Sequence, residues 1–206
     1  MNHDQTFRAA LIVFSLFTVP IGVYHRIKSQ STHEKLDRRR EGFFILATLR
    51  PVGIALWLGL IAWTINPGWM RWSSVPLPFW LRWTGVGLIA IACGLLVWSL
   101  RCIGKNLTDT VVTRQQHRLV MHGPYRWVRH PFYDSAALLV VAVSLIAANW
   151  FLLISGVVLL GLLIIRTRIE EENLAARFGD SYRAYKEHTG RFLPEIGTIV
   201  RELFGK

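Results

Sequence analysis

The stretch DSAALLVVAVSLIAANWFLLISGVVLLGLLII, residues 134–165, decides how this chain is built. A helix rises about 1.5 Å per residue and the hydrocarbon core of a bilayer is about 30 Å thick, so this apolar run is too long for one crossing. Asn149 and Trp150 interrupt it with a polar residue and an aromatic that favours membrane interfaces. We predict a hairpin of two short helices, 134–148 and 151–165, that is tilted or penetrates only part of the bilayer.

Three further apolar stretches precede this run, at residues 7–24, 43–65 and 79–100. With 52% hydrophobic residues among 206 and a mean hydropathy of +0.33, the chain is too apolar for an ordinary soluble domain and too short for several domains. No small-residue cleavage site follows the first stretch, which is interpreted as a retained anchor. The sequence predicts an all-α integral membrane protein with five transmembrane helices, the last two forming a short hairpin.

Charge gives the expected orientation of these helices. The formal net charge is +11, and the basic residues lie between apolar runs without a base-stacking pattern, which favours a membrane partner over nucleic acid. Loop 66–78 carries only Arg71, whereas the loops after the first and third stretches are rich in lysine and arginine. The positive-inside rule then places the N-terminus outside and the C-terminus in the cytoplasm. The compact chain favours a bacterial plasma membrane.

The polar tail after the hairpin is expected to be helical. Leu174, Phe178, Tyr182 and Tyr185 recur at spacings of three and four residues, with Gly179 as an interruption. This pattern predicts a cytoplasmic C-terminal amphipathic helix, in one or two pieces, that folds back on the membrane domain.

The stretch GPYRWVRHPFYDSA, residues 123–136, crowds charge and helix breakers just before the hairpin. Gly123 and Pro124 predict a tight turn, and Pro131 is placed to open the next helix, where its missing N–H is not needed. Free N–H groups at that helix start, with Arg129 and His130, favour a positive pocket mouth. The alternative is that these residues are topology charges, interface aromatics and a helix cap.

Arg166 and Glu170 lie one helical turn apart where the last apolar stretch ends. In one interpretation Arg166 is an anchor whose side chain reaches up to the headgroups and Glu170 belongs to a solvated helical turn. In the other, the two residues form a pair that holds a zwitterionic ligand. In the second interpretation the arginine takes a carboxylate and the glutamate takes an ammonium group.

Metal and nucleotide-fold motifs are absent from the sequence. His117, His122 and His130 come without HExxH, a partner cysteine or a carboxylate at ligand spacing, so we expect no metal. Cys93 and Cys102 form no CxxC, which gives neither a disulfide framework nor a zinc site. Since no GxGxxG or Walker loop occurs, a nucleotide-like cofactor would have to be held by the membrane helices and their polar flanks.

Two segments together resemble the isoprenylcysteine carboxyl methyltransferase family and its phospholipid methyltransferase relatives. They are HRLVMHGPYRWVRHPFY, residues 117–133, and RTRIEEENLAARFGDSYRAYKEHTGRFLPEI, residues 166–196. The likeness lies in an RHPxY signature, an EExxL signature and an FGxxYxxY signature, and it covers roughly residues 100–195. One departure is that Asp134 and Ser135 follow the tyrosine, where the family places glycine two residues after it.

The resemblance implies an integral membrane methyltransferase that uses S-adenosyl-L-methionine. The apolar stretches predict three N-terminal transmembrane helices over 1–100, which carry no signature of the family, and the resemblance implies a catalytic region over 101–206 with a cofactor-binding loop, the hairpin and the C-terminal helices. It places Arg166 against the substrate, a lipid-attached or hydrophobic carboxylate such as isoprenylcysteine that enters laterally from the bilayer. The cofactor-binding residues implied are His117, Leu119, Val120, Tyr125, Arg129, His130, Pro131, Phe132, Tyr133, Glu170 and Glu171.

Three other functions stay open at this point. A phospholipid N-methyltransferase of the phosphatidylethanolamine type would need a neutral base, such as His130 or a tyrosine, because its amine acceptor must first lose a proton. A membrane reductase with a nicotinamide cofactor is a more distant alternative. The third is a non-catalytic membrane adaptor whose basic face binds anionic lipid.

Overall fold

The computed structural model describes residues 3–30, 43–104 and 119–195, and within these ranges the chain is helical, without a β-strand. His117 lies outside the described residues. The α-helices are α1 His3–Gln30, α2 Phe43–Ile65, α3 Phe79–Ile103, α4 Pro131–Ala147, α5 Trp150–Phe178 and α6 Asp180–Glu187. Short 3-10 helices follow α2, at Pro67–Ser73, and precede α4, at Gly123–Arg126.

Four helices within the described ranges are long and apolar enough to cross a membrane. They are Asp4–His25 within α1, Ala47–Ile65 within α2, the whole of α3 and the whole of α5. The prediction of an all-helical membrane protein is confirmed. Helix α4 is apolar but has 17 residues, about 25 Å of helix, so a count of five crossings stays a prediction.

The turn of the predicted hairpin lies where Asn149 and Trp150 indicate it. Ala148 has a left-handed φ of 49°, which ends α4, and the Asn149 side chain accepts a hydrogen bond from Leu152 N at 3.2 Å, which caps α5. Asn149 Nδ2 also donates to Ser73 Oγ at 2.8 Å. The hairpin turn is thereby tied to the 3-10 helix that follows α2.

The predicted lengths of the hairpin helices were wrong, most of all for the second. Helix α4 begins at Pro131, which confirms the prediction for that proline but adds three residues before the predicted start at 134. Helix α5 continues past 165 to Phe178, since the polar residues that follow the apolar run are good helix formers and neither glycine nor proline occurs before Gly179. The segment 166–178 is therefore part of a membrane helix and not a separate tail helix.

The helix ends gather in two groups. At the first, which we call the hairpin end, the start of α1, the end of α2, the start of α3 and the α4–α5 turn meet. Arg82 joins them: its guanidinium donates to Ile146 O at 2.9 and 2.8 Å and to Asp4 Oδ1 at 2.9 Å. The opposite group, which we call the site end, contains residues 119–130, the C-terminal part of α5, and α6.

Close helix packing joins α4 to its neighbours. A Cβ added at Gly85 of α3 would lie 2.9 Å from Ala142 O, and one added at Gly156 of α5 would overlap the Val140 side chain. Small residues at these points let the helix backbones approach closely. The core beside them is apolar and includes Ile146, which is fully buried. The alignment of α4 with α3 and α5 fixes where its first turn lies.

Helix α6 places the predicted aromatic residues inward. Gly179, with a φ of 53°, separates it from α5, as the sequence predicted for this glycine. Tyr182 and Tyr185 are buried, with exposures of 1% and 9%, while Arg183 and Lys186 are exposed. The helix thus packs its aromatic face against the protein at the site end.

Candidate active site

The segment before α4 is held by the C-terminal residues of the described chain. Arg129 N donates to Gly190 O at 2.8 Å and His130 N donates to Arg191 O at 3.1 Å, around a parallel bridge between Val128 and Gly190. Tyr185 Oη adds a hydrogen bond of 2.5 Å to the Tyr125 carbonyl. Two parts of the chain that are distant in sequence therefore form one wall of the site end.

Glu171 is the anionic centre of this wall. Its carboxylate lies 3.0 Å from Arg129 Nε, 3.2 Å from His130 Nε2 and 3.1 Å from Arg191 Nε, and the residue is 6% exposed. Arg129 also donates to the Thr189 carbonyl. Because its oxygens are engaged by Arg129, His130 and Arg191, Glu171 supports the wall, and its contact with a cofactor stays a prediction.

The neighbouring Glu170 faces a different set of groups. Its Oε1 accepts a hydrogen bond from Tyr133 Oη at 2.7 Å and lies 3.3 Å from Arg166 Nε, and its Oε2 lies 3.8 Å from His130 Nδ1. The Glu170 side chain is 20% exposed, against 7% for Glu171. The two carboxylates of the EExxL signature thus differ in environment: Glu171 is enclosed, whereas Glu170 accepts one hydrogen bond from Tyr133, forms an ion pair with Arg166 and is still partly accessible.

Arg166 lies where the sequence placed it, one turn before Glu170 and on the side of residues 123–133. It is 7% exposed although it follows a long apolar run. An arginine that only snorkels to headgroups would extend into solvent. Its burial beside Glu170 and Tyr133 favours the interpretation in which this pair belongs to a ligand site.

Aromatic groups surround the accessible carboxylate. The His130 and Tyr133 rings stack with centroids 5.5 Å apart, and Phe192 approaches His130 at 5.7 Å. Tyr125 is 7% exposed, and its Oη has no hydrogen-bond partner within the described part of the chain. Burial raises the pKa of Tyr125, and the nearby Tyr185, Cys102 and Glu170 raise it further. The phenol therefore stays protonated and is a donor without an acceptor among residues 3–30, 43–104 and 119–195.

The remaining predicted site residues that the structure describes lie between residues 119 and 132. Leu119, Val120 and Phe132 are half-buried, and Pro131 is buried as the first residue of α4. His122 is exposed. Among the residues described, no three histidines, cysteines or carboxylates lie close enough together to hold a metal ion.

Sequence reasoning missed several residues that build this site. Arg191 and Thr189 belong to no recognised signature, and their contacts with Glu171 and Arg129 join segments far apart in sequence. Tyr185 was identified as part of a helical repeat and of the FGxxYxxY signature but not as a site residue, although its hydroxyl bonds to the loop before α4. The FGxxYxxY signature was the one available signal, since two tyrosines at this spacing share a helix face.

The arrangement fits the amino-acid end of a zwitterionic cofactor. Glu170 offers an oriented carboxylate to an ammonium group, and Tyr125 offers a buried hydroxyl that no described residue engages. An unpartnered buried donor is unusual in a folded protein and is commonly explained by a ligand or water.

The comparisons with known proteins match this chain to proteins named as methyltransferases and to a methyltransferase family. A model of the phospholipid methyltransferase family matches residues 80–181. A protein-S-isoprenylcysteine O-methyltransferase of Dictyostelium discoideum is 32% identical over 62% of this chain and 56% of its own length. A methanethiol S-methyltransferase of Mycobacterium tuberculosis is 29% identical over 61% of this chain and 46% of its own length. The matches therefore span about half the length of these curated relatives.

A solved structure supports the fold. The structure of the eukaryotic intramembrane Ras methyltransferase, isoprenylcysteine carboxyl methyltransferase, superposes with a TM-score of 0.51 at 22% identity, covering 71% of this chain and 52% of that chain. At this identity the likeness concerns the fold alone. The family resemblance carried by the RHPxY and EExxL signatures is thus confirmed by the matches in sequence, and this chain belongs to the phospholipid methyltransferase family.

Proposed function

We propose that this protein is a membrane methyltransferase that uses S-adenosyl-L-methionine. The observation that carries the proposal is the accessible Glu170 carboxylate, oriented by Tyr133 and Arg166, within electrostatic range of the Tyr125 hydroxyl, which has no hydrogen-bond partner in the described part of the chain. Glu170 would hold the α-ammonium of the cofactor, and Tyr125 would donate to one of its polar atoms. The names of the relatives support the same chemistry.

S-adenosyl-L-methionine would supply an electrophilic methyl group on a sulfonium. Displacement at that carbon needs little acid or base help when the acceptor is an anion, so the residues of the site would mainly orient the reactants and exclude water. The stacked His130 and Tyr133 rings and the wall built around Glu171 provide a rigid support for this. No side chain has to exchange a proton during the transfer.

For the acceptor, we propose a lipid-attached or hydrophobic carboxylate such as isoprenylcysteine. Arg166 is a buried guanidinium where the apolar run of α5 ends, next to the exposed Ile164 and Ile165. A guanidinium matches a carboxylate in shape and charge, and the exposed isoleucines would face the lipid from which the acceptor enters. Two relatives from Dictyostelium discoideum and rice carry names that specify this acceptor.

Methyl transfer to defined acceptors tests the proposal. The purified protein in mixed micelles is given methyl-labelled S-adenosyl-L-methionine and a farnesylated cysteine analogue, phosphatidylethanolamine or methanethiol. We expect label in the farnesylated cysteine as a base-labile methyl ester. Label only in the amine lipid would contradict the assignment of a carboxylate acceptor. Label only in methanethiol would also contradict it and would indicate a small thiol as the acceptor. An absence of label with all acceptors, from protein that binds the cofactor product, would contradict a transferase with these substrates.

A further inference from the structure

A cavity of about 550 Å³ lies at the hairpin end, on the opposite side of the helix bundle from the candidate active site. Its walls come from the start of α1, the end of α2, the 3-10 helix Pro67–Ser73, the start of α3 and the α4–α5 turn. The charged residues in its lining are Asp4, Arg8, Arg71 and Arg82. This volume lies in the usual range for small-ligand sites.

Two of the three arginines are held in place by the protein. Arg82 donates to Ile146 O and Asp4 and lies 4.0 Å from the Phe7 ring, and Arg8 donates to the last two carbonyls of α2 at 2.9 and 2.6 Å. A guanidinium has five N–H donors. Both groups therefore keep donors beyond these bonds, and their positions are fixed before any ligand arrives.

Arg71 differs from the other two. It is exposed, and its guanidinium forms no hydrogen bond or ion pair with any described residue. Asp4, the one carboxylate in the lining, is already paired with Arg82 at 2.9 Å. The cavity consequently has an excess of positive charge, which favours an anion. The hydrogen bonds of Arg8 and Arg82 to the last carbonyls of helices explain why arginine occurs at these two positions. No such bond to a described residue explains the arginine at position 71.

The surroundings of the cavity indicate the depth at which its ligand lies. Exposed tryptophans surround the hairpin end: Trp69, Trp72, Trp80, Trp83 and Trp150. Tryptophan at the ends of membrane helices is typical of the headgroup region. An anion at this depth is most simply the phosphate of a lipid.

We propose that this cavity binds the phosphate group of an anionic phospholipid, with Arg8 and Arg82 as its fixed contacts and Arg71 closing on it from the rim. Guanidinium groups match phosphate oxygens in geometry and charge. The site is separate from the proposed methyl transfer and does not depend on it. The same chemistry would also accept a free phosphate, so the test must separate the two sources.

Native mass spectrometry of the detergent-purified protein measures this binding. Phosphatidylglycerol, phosphatidylcholine and inorganic phosphate are titrated separately, and inorganic phosphate is then added to the phosphatidylglycerol complex. We expect one phosphatidylglycerol to be retained, with phosphatidylcholine weaker. Arg71→Gln should weaken phosphatidylglycerol binding about tenfold, the size expected for one charged contact. The matched control is Arg50→Gln, which changes an exposed arginine of α2 that does not line the cavity and should bind as the wild type does.

Two results would overturn the proposal. Equal phosphatidylglycerol affinity in Arg71→Gln and the wild type would show that Arg71 does not contact the lipid phosphate. Displacement of the lipid by inorganic phosphate at similar concentration would show that the cavity binds a free anion and not a lipid. Tryptophan fluorescence unfolding of each variant checks that the fold is retained, which we expect because Arg71 is exposed.

Discussion

Glu170 and Glu171 are adjacent in sequence but have different environments. Glu171 is enclosed by Arg129, His130 and Arg191, whereas Glu170 is partly exposed and oriented by Tyr133. The sequence identified both as cofactor residues through one shared signature. It did not distinguish them, because the partners of Glu171 come from segments far apart in the chain.

A first prediction concerns the stability of the wall at Glu171. Glu171→Gln removes the charge that two guanidinium groups share, and breaking such a buried pair costs about 3 kcal/mol. We expect the apparent Tm to fall by roughly 5 °C or more in thermal unfolding followed by tryptophan fluorescence. Glu172→Gln is the matched control, because Glu172 is exposed on the same helix and should change little. Equal shifts in the two variants would contradict the structural role of Glu171.

A second prediction separates stability from binding at Tyr125. Tyr125→Phe removes a buried hydroxyl that has no partner among the described residues, so stability should not fall. Binding of S-adenosylhomocysteine should weaken by about 1 kcal/mol, because one hydrogen bond to the ligand is lost. Calorimetric titration measures the affinity.

The control for this variant is Tyr182→Phe. Tyr182 Oη is also buried without a hydrogen-bond partner in the described chain, but it lies near Arg129, Glu171 and Arg191. We expect its binding affinity to be unchanged. Equal affinity for Tyr125→Phe and the wild type would remove Tyr125 from the cofactor site.

At the level of elements, the hairpin was predictable and the length of its second helix was not. Asn149 and Trp150 mark the turn because a polar residue inside an apolar run needs partners, and Asn149 finds them in Ser73 and Leu152. The apolar run ends at residue 165, but α5 continues to Phe178 and is followed by Gly179, which has a positive φ that favours glycine. Backbone helicity does not depend on where the lipid ends, so hydropathy alone gave too early a boundary.

Helix packing gives a third prediction. Gly156→Ala places a methyl group against Val140 and should push α5 from α4, at a cost of about 1 to 3 kcal/mol. Gly161→Ala, on the same helix with open space around the added Cβ, should leave stability unchanged or raise it by up to about 1 kcal/mol. Thermal unfolding compares the two variants. A fall of the same size in both would mean that α4 and α5 do not pack as described.

At the level of the whole molecule, the helix ends form two groups that differ in charge. Three arginines lie in the cavity lining at the hairpin end, whereas the described residues of the site end include Arg126, Arg129, Arg166, Arg168, Arg177, Arg183 and Lys186. By the positive-inside rule we propose that the site end is cytoplasmic and the hairpin end external. Loop composition predicts this orientation, whereas the contacts within each end required the structure.

The orientation is tested by labelling single cysteines in intact cells. In a background with Cys93 and Cys102 replaced, Ser74→Cys should react with a membrane-impermeant maleimide, because Ser74 is exposed at the hairpin end. Ser181→Cys, which is exposed on α6, should react only after lysis. The reverse pattern would invert the topology.

Calorimetric titration of S-adenosylhomocysteine into the detergent-purified protein tests the central claim most directly, namely that Glu170 holds the cofactor. Relative to the wild type, we expect Glu170→Gln to lose about 1.5 to 3 kcal/mol of binding free energy, roughly a tenfold to hundredfold weaker Kd, through loss of a charged contact. Glu172→Gln should bind as the wild type does. If Glu170→Gln retains wild-type affinity, or if the folded wild type does not bind at all, the account of this site is contradicted.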